Sequence, residues 1–156
     1  MSVALLAIFL QSASISGSVA PPQGMAPPPM ARAILLPLPY ANLFNAEAQE
    51  RIDNYWEAFK NAGMAQRQKE QFTQFMVHAY GTALENVVSQ MQRDGKVNTA
   101  ALMKNAPLGQ FDFRGVPLGE YKLIVTANVK GTDYVWTETL QVESAPIVLI
   151  LKNRLP

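Results

Sequence analysis

The sequence predicts an α+β fold, in which an antiparallel β-sandwich of about six to seven strands is interrupted by an antiparallel α-helical hairpin. Three observations predict this fold. Apolar and polar residues alternate near both ends of the chain, as in half-buried strands. Apolar residues in the middle recur every three or four positions, as on one face of a helix. Glycine and proline turns separate short C-terminal strands, which is typical of a sandwich.

Residues 1–13 are interpreted as a signal-like apolar segment. The run from Ala4 to Leu10 is followed by small residues, like the apolar core and cleavage end of a secretory signal. The basic residues that usually begin such a signal are missing, because the first charge is Arg32; the alternative is an apolar strand. We expect a secreted, periplasmic or cell-envelope protein. No transmembrane span is expected, because the run is far shorter than the ~20 residues that cross a bilayer.

Residues 14–40, together with residues 107–154, are predicted to form the β-sandwich domain. In the first of these segments, the apolar residues of SISGSV alternate with serines. Prolines then remove amide donors and fix φ, so a loop separates this strand from the apolar run Ala31 to Leu36. We interpret the prolines as a stiff connection rather than as a ligand for a proline-recognising module.

Residues 41–106 are predicted to be a helical hairpin inserted into the sandwich. A first helix begins near Asn45, whose side chain can cap the first amides, and ends at Gly63, which can adopt the left-handed conformation. A longer helix follows from about Ala65 to Arg93 and carries one continuous apolar stripe. Two helices cannot bury both of their apolar stripes, so the remaining surface must meet a sheet, a partner chain or a ligand.

The stretch GQFDFRGVPLGEYKLIV, residues 109–125, fixes the register of the sandwich. Pro117 presets φ for a turn, and Gly119 supplies a conformation that is closed to residues with a Cβ. The turn therefore directs the Phe-x-Phe residues before it and the Tyr-x-Leu-x-Val residues after it into one core. A slip of one residue would expose all of them.

This stretch resembles the hallmark of carboxypeptidase-regulatory-like domains, also called transthyretin-like or prealbumin-like: G-x-F-x-F-x-x-(V/L)-P-x-G-x-Y-x-(L/V)-x-(V/A). SISGSV and RAILLPLP resemble the family's first two strands, and QVESAPIVLILKN resembles its final strand pair. The resemblance covers about residues 13–40 and 107–153. The family joins its second strand to the Gly-x-Phe-x-Phe strand by a brief connection, so the long intervening segment is a departure. We therefore infer a prealbumin-like sandwich with a helical insertion.

The resemblance also implies a function. Domains of this family are accessory modules of enzymes or of bacterial outer-membrane receptors, and they are often described as having a carbohydrate-binding-like fold. They bring no catalytic residues of their own. The resemblance thus implies a bacterial, non-catalytic interaction or scaffolding module that binds a protein or glycan partner at the cell envelope, and not an enzyme.

Composition argues against several kinds of site. The formal net charge is +1 and the basic residues do not cluster, so no nucleic-acid partner is expected. The chain has no cysteine and one histidine, His78, which argues against a transition-metal site. We interpret His78 as a solvated residue on the polar face of the second helix. The acidic residues of the first helix are interpreted as a solvated face rather than as a Ca²⁺ site or a carboxylate pair: Glu47, Glu50, Asp53 and Glu57. No catalytic residue, metal or cofactor is predicted.

The candidate partner-binding residues are aromatic, and they lie on the hairpin and in the strand YVWTETLQV: Tyr55, Trp56, Phe72, Tyr80, Tyr134 and Trp136. Core packing is the default for the hairpin aromatics, and any part left open would be an apolar recognition groove. We take Tyr134 and Trp136 to point to opposite faces, so that one can stack on a sugar ring or a partner side chain. Gly81 interrupts the second helix, where glycine lowers helix stability by about 1 kcal/mol relative to alanine. It marks either close helix packing or a bend in the helix.

Three functions follow from these observations. The first is the interaction or scaffolding module. The second is a self-assembling subunit of an envelope or extracellular filament, in which the last strand adds to a neighbour's sheet edge in a homo-oligomer. The third is a carrier of a small apolar ligand at the helix–sheet interface.

Overall fold

A computed structural model describes residues 11–60 and 67–156 of the chain. Most of the signal-like segment, the predicted helix end at Gly63 and the predicted helix start at Ala65 lie outside these residues. Within the described ranges the chain forms eight strands, two α-helices and one short 3₁₀ helix. In chain order they are β1 (Ser12–Val19), β2 (Met30–Pro37), α1 (Leu38–Lys60), α2 (Arg67–Asp94), the 3₁₀ helix (Thr99–Leu102), β3 (Met103–Pro107), β4 (Gln110–Pro117), β5 (Gly119–Val129), β6 (Thr132–Val142), β7 (Ile147–Leu151) and β8 (Arg154–Leu155).

The strands form two sheets, and the predicted fold class is confirmed. One sheet has the order β4-β1-β7 and the other the order β3-β2-β5-β6-β8. All of the pairings are antiparallel except that of β1 with β7. The strands that precede the hairpin, β1 and β2, each lie between strands that follow it. Segments that are distant in sequence therefore close into one two-layer β body.

The turn before β5 directs the motif's apolar residues into one core, as the sequence predicts, but it sets no register between β4 and β5, because these strands are not paired with each other. Phe111 and Phe113 of β4 are buried, as are Tyr121, Leu123 and Val125 of β5. The two strands belong to different sheets, so their apolar residues enter the same core from opposite sides. At the turn, Gly119 has a φ of 145°, and the Tyr121 hydroxyl donates to the Pro117 carbonyl at 2.9 Å.

The first helix begins earlier than predicted. It starts at Leu38, directly after β2, and proline is tolerated in the first turn of a helix because those amides have no helical acceptor. Asn45 is therefore not a cap. It lies inside the helix, where its side-chain oxygen accepts from Lys122 of β5 at 2.7 Å. The Tyr40 hydroxyl donates to Asp94 at 2.7 Å and joins the start of α1 to the end of α2.

The hairpin forms a third layer on the five-stranded sheet. Ile34 and Leu36 of β2 and Ile124 of β5 alternate with residues of the sandwich core, and all three are at most 2% exposed. Phe44 of α1 and Val87 of α2 are buried in the same continuous apolar cluster. The central parts of β2 and β5 are thus buried on both faces, which explains the apolar runs AILL and LIV in these strands.

The proline-rich segment between β1 and β2 is bonded to the sandwich. The Trp136 indole N–H donates to the Ala20 carbonyl at 2.9 Å, and the Leu108 amide donates to the Pro29 carbonyl at 3.2 Å. Pro28 is buried. These contacts favour the interpretation of the prolines as a stiff connection.

Candidate functional site

One concave feature of the described residues is a cleft between α2 and the five-stranded sheet. Its volume is about 810 Å³, which lies within the range of about 300–1,000 Å³ typical of small-molecule sites. Residues of β2, β5 and β6 form its floor, and residues of α2 form one wall. They are Met30, Ala31, Arg32, Ile34, Val77, His78, Gly81, Thr82, Leu84, Glu85, Val88, Ser89, Thr126, Ala127, Asn128, Asp133, Tyr134 and Val135.

The floor of the cleft is centred on Arg32. Arg32 pairs with Asn105 of β3 on one side and with Thr126 of β5 on the other. Thr126 pairs in turn with Val135 of β6. Residues that are paired across neighbouring strands point to the same face of a sheet. The sheet thus offers a guanidinium, an amide, a hydroxyl and an apolar side chain in one row that faces the helical layer.

The wall of the cleft is a polar stripe along α2. His78, Thr82, Glu85 and Ser89 are separated by four, three and four positions, so they lie along one side of the helix. Next to this stripe lies Gly81. A Cβ built on Gly81 would meet no heavy atom within 4 Å. Gly81 therefore marks open space beside the helix, and the prediction that it marks close helix packing is wrong.

Most charged groups of the cleft have no partner in the described part of the chain. Neither the Arg32 side chain nor the Glu85 side chain forms an ion pair or a hydrogen bond with another described residue. Asp133 differs, because it accepts from the Asn128 amide at 2.8 Å. On the opposite face of the sheet, the Tyr134 hydroxyl lies 3.6 Å from the Met25 sulfur. The cleft thus holds one unpaired cation and one unpaired carboxylate.

Tyr134 and Trp136 do not point to opposite faces, and that expectation is wrong. The two residues are two positions apart in β6, and alternate residues of a strand share a face. Their rings lie 6.0 Å apart. Trp136 is fully buried between the sheets, and Tyr134 is half-buried on the same face, which is opposite to the face that Val135 turns toward the cleft. Trp136 therefore lacks the exposure that stacking on a ligand requires.

The hairpin aromatics divide into two groups. Tyr55, Trp56 and Phe72 gather near the far end of the hairpin, where Tyr55 stacks on Phe75 at 3.7 Å between ring centroids. Trp56 is 42% exposed. Tyr80 lies apart from them and packs against Phe44 at 5.6 Å. Neither group lines the cleft. The partner-binding role of these aromatic residues stays a prediction.

Three of the four acidic residues of α1 have side-chain partners, and one of them, Glu47, also accepts from Asn86 of α2. Glu47 pairs with Arg51 at 3.2 Å, and Glu57 pairs with Lys60 at 3.3 Å. Asp53 accepts from the Gln49 amide at 2.7 Å. Exposed pairs of this kind contribute little to stability, and they describe a solvated helix face.

The titratable groups with shifted pKa values lie outside the cleft. The hydrogen bond from Tyr40 lowers the pKa of Asp94, with help from the Gln90 amide, and the same bond raises the pKa of Tyr40. Burial raises the pKa of Tyr121 and lowers that of Lys122. These shifts accompany contacts that hold the hairpin and the β4–β5 turn in place.

A second exposed feature is the edge strand β7. Strand β7 ends the three-stranded sheet, and Val148 and Ile150 on its outer face are 79% and 60% exposed. An edge strand has unpaired amide and carbonyl groups, and apolar edges of this kind can pair with another chain.

Within the described ranges, neither helix is long and apolar enough to cross a membrane.

The sequence points to few of the cleft residues. His78 was placed on the polar face of the second helix, and that face lines the cleft. Arg32 was missed. Its signal is that it interrupts the apolar sequence of β2, which otherwise contains no charged residue.

Comparison with known proteins adds little to this description. No family model matches the chain, and no curated protein matches its sequence. Among solved structures, the chain is similar to a crystal structure of a Pseudomonas aeruginosa protein proposed to bind carbohydrate. The two are 17% identical, and the match covers 92% of this chain and 90% of that one with a TM-score of 0.41. A likeness at this level assigns neither a family nor a function to this chain.

Proposed function

We propose that this chain is an exported, non-catalytic binding module of the carboxypeptidase-regulatory-like type, which binds a glycan or protein partner at the cell envelope. The sequence motif of β4 and β5 supports the family, together with the burial of the motif's apolar residues between two sheets. The export and the location rest on the apolar segment at residues 1–13.

The cleft beside α2 is the observation that carries this proposal. Gly81 lies in the middle of a 28-residue helix, where glycine costs about 1 kcal/mol relative to alanine. No close contact requires a glycine there, because the space beyond its Cα is open. The glycine thus lowers helix stability and leaves room in the cleft. Local choices that work against stability in this way are typical of functional sites.

The polar groups of the cleft support binding rather than catalysis. A nucleophile needs a base within hydrogen-bond reach and a third group that orients the base. His78 makes no hydrogen bond to a serine, threonine or carboxylate in the described part of the chain. Hydroxyl, carboxylate and guanidinium groups spread over four elements suit the recognition of a polar ligand.

Filling the cleft tests the proposal. The substitution Gly81→Leu places a good helix former where the structure has open space, so the fold should be retained while the cleft is blocked. The purified chain is screened against envelope and extracellular polysaccharides on a glycan array, and hits are measured by calorimetry. The control is Gln74→Leu, which adds the same side chain to an exposed position of α2 outside the cleft.

We expect Gly81→Leu to weaken binding at least tenfold and Gln74→Leu to bind as the unmodified chain does. Unchanged binding by a folded Gly81→Leu variant would show that the cleft is not the binding site. Binding to no polysaccharide on the array would remove the glycan form of the proposal.

The edge strand β7 favours a second function, self-assembly of the chain through its sheet edge. Val148 and Ile150 present two aliphatic side chains to solvent, and the strand contains none of the charged residues or prolines that usually protect an edge. Sedimentation velocity over a range of concentrations tests this function, with Val148→Lys as the variant that should dissociate any oligomer. A monomer at every concentration contradicts it.

An apolar carrier fits the cleft less well. A small apolar ligand would cover Arg32 and Glu85 without offering hydrogen bonds, and burial of unpaired charges is costly. The lining therefore favours a polar ligand over an apolar one.

A further inference from the structure

We infer that the cleft binds an acidic sugar, with the carboxylate of the sugar on Arg32 and its ring hydroxyls on the α2 wall. This inference rests on the proposed function and names the ligand class. The juxtaposition of Arg32, on a central strand, with Glu85 and Gly81, on the facing helix, is the observation behind it.

Arg32 lies where the face of β2 that the hairpin covers becomes exposed to solvent, and its own side chain is exposed. The strand β2 lies inside the five-stranded sheet, and the positions on either side of Arg32 that share its face are Met30 and Ile34. Ile34 and Leu36 continue this face and are buried beneath the hairpin. An apolar residue at position 32 would let α2 close onto the sheet. Arginine prevents this closure, because its charge must stay in contact with water or with a partner.

The helix α2, which faces Arg32, also leaves the cleft open. Gly81 removes a side chain from the wall, although glycine disfavours the helix. Two residues that do not favour close packing therefore line one cleft, Arg32 on the sheet and Gly81 on the helix. The residues lie far apart in sequence, and only the fold brings them together. A ligand held between them would use both the exposed guanidinium of Arg32 and the open space at Gly81.

The chemistry of the lining selects the ligand. A guanidinium binds a carboxylate through two parallel hydrogen bonds, and Arg32 has no acidic partner among the described residues. The carboxylate of Glu85 accepts hydrogen bonds from hydroxyl groups. Thr82, Ser89 and Thr126 add hydroxyls that donate or accept. A ring that carries one carboxylate and several hydroxyls satisfies all of these groups.

The charge balance excludes more highly charged ligands. The cleft contains one cation, Arg32, and two carboxylates, Glu85 and Asp133. A phosphate ester or a polysulfated sugar would bring more negative charge than Arg32 can balance, and like charges in a cleft repel. Because Glu85 and Asp133 already outnumber Arg32, the ligand can bring at most one carboxylate, and that carboxylate must lie directly on Arg32.

The test compares an acidic sugar with its neutral counterpart. The full chain is titrated by calorimetry with methyl galacturonoside, which carries one carboxylate, and with its methyl ester, which has the same ring and no charge. The variants are Arg32→Gln and Arg32→Lys. The control is Arg51→Gln, the same change at an exposed arginine of α1 outside the cleft. Thermal unfolding followed by circular dichroism checks that each variant is folded.

We expect the unmodified chain to bind the acid at least tenfold more tightly than the ester, since a charge-assisted bidentate contact is lost with the ester. Arg32→Gln should remove this preference and leave binding of the ester within about twofold, while Arg51→Gln keeps the preference. Arg32→Lys should retain only part of it, because an ammonium makes no bidentate contact.

Equal binding of the acid and the ester, or a preference that survives in Arg32→Gln, would overturn the inference. If Gly81→Leu then abolishes binding of both forms, the cleft remains the site and only the ligand class is wrong. Binding of neither form by the unmodified chain also overturns the acidic-sugar inference, while the polysaccharide array judges the proposed function separately. If Arg32→Gln fails to fold, the comparison of the acid with the ester and the Arg32→Lys variant still test whether Arg32 binds the carboxylate.

Discussion

Alanine at Gly17 tests whether the two ends of the chain meet as the structure shows. Gly17 lies in the middle of β1, opposite Phe111 of β4 and Leu149 of β7. Both partners lie beyond the hairpin in sequence. The conformation of Gly17 does not require glycine, so any cost of a Cβ at this position comes from the neighbouring strands.

The expected cost follows from the distances. A Cβ at Gly17 would lie 1.9 Å from the Leu149 carbonyl oxygen and 3.1 Å from Cζ of Phe111. Real Cβ atoms essentially never lie within 3.0 Å of such an atom, so β1 and β7 would have to separate by about 1 Å. Overpacking typically costs about 1–3 kcal/mol, and a backbone carbonyl cannot rotate away as a side chain can. We expect Gly17→Ala to lower the free energy of unfolding by about 3 kcal/mol, a large fraction of a typical domain's 5–15 kcal/mol.

The same substitution at Gly81 is predicted to raise the free energy of unfolding, whereas Gly17→Ala lowers it. Gly81→Ala adds a methyl group to open space in a helix and should stabilise the chain by about 1 kcal/mol. Urea unfolding of the two variants, followed by circular dichroism, measures both effects in one assay. A Gly17→Ala variant within about 0.5 kcal/mol of the unmodified chain would refute the reasoning, since β1 could not then lie against β7 as described.

Two further predictions concern single contacts. The Tyr40 hydrogen bond lowers the pKa of Asp94 below its ordinary value of 3.8, so the contact stabilises the fold above that value and is lost as pH falls through the lowered pKa. The stability difference between the unmodified chain and Asp94→Asn, measured by urea midpoints, should shrink from pH 6 to pH 3; a constant difference contradicts the linkage. Trp136→Phe removes a buried N–H that donates to Ala20 at 2.9 Å and should cost about 2–3 kcal/mol in the same urea assay. A loss below about 0.5 kcal/mol would mean that the indole does not hold the proline-rich segment. The remaining tryptophan, Trp56, is 42% exposed, so iodide should quench the emission of this variant.

The β-sandwich could be predicted because its signals are local. The motif from residue 109 to 125 combines strand alternation with a turn whose φ requirement only glycine meets easily, and the structure confirms both. The helices could be predicted from their spacing for the same reason. The start of the first helix could not be predicted, because Pro37 and Pro39 suggest a loop. The first turn of a helix nevertheless tolerates proline.

Positions that depend on packing were harder to predict. Asn45 has the chemistry of a helix cap, but Lys122 from a distant strand uses its side chain instead. Tyr134 and Trp136 suggested an exposed aromatic, because aromatic residues are common on both faces of a sheet. Their spacing of two places them on one face, and the proline-rich segment covers Trp136 through the contact with Ala20.

The cleft could not be predicted because neither of its decisive residues has a local meaning. Taken alone, Arg32 in a strand and Gly81 in a helix each look like a slightly destabilising residue. An apolar residue at position 32 would favour the strand more, and alanine at position 81 would favour the helix more. The fold places them on facing surfaces, where the helix α1 seals one part of the sheet through Phe44 and the helix α2 leaves another part open. A pair of destabilising choices that coincide in space is more informative than either residue alone. Restoring stability at both positions, with Arg32→Leu and Gly81→Ala together, should therefore close α2 onto the sheet and raise the unfolding free energy by more than the sum of the single changes.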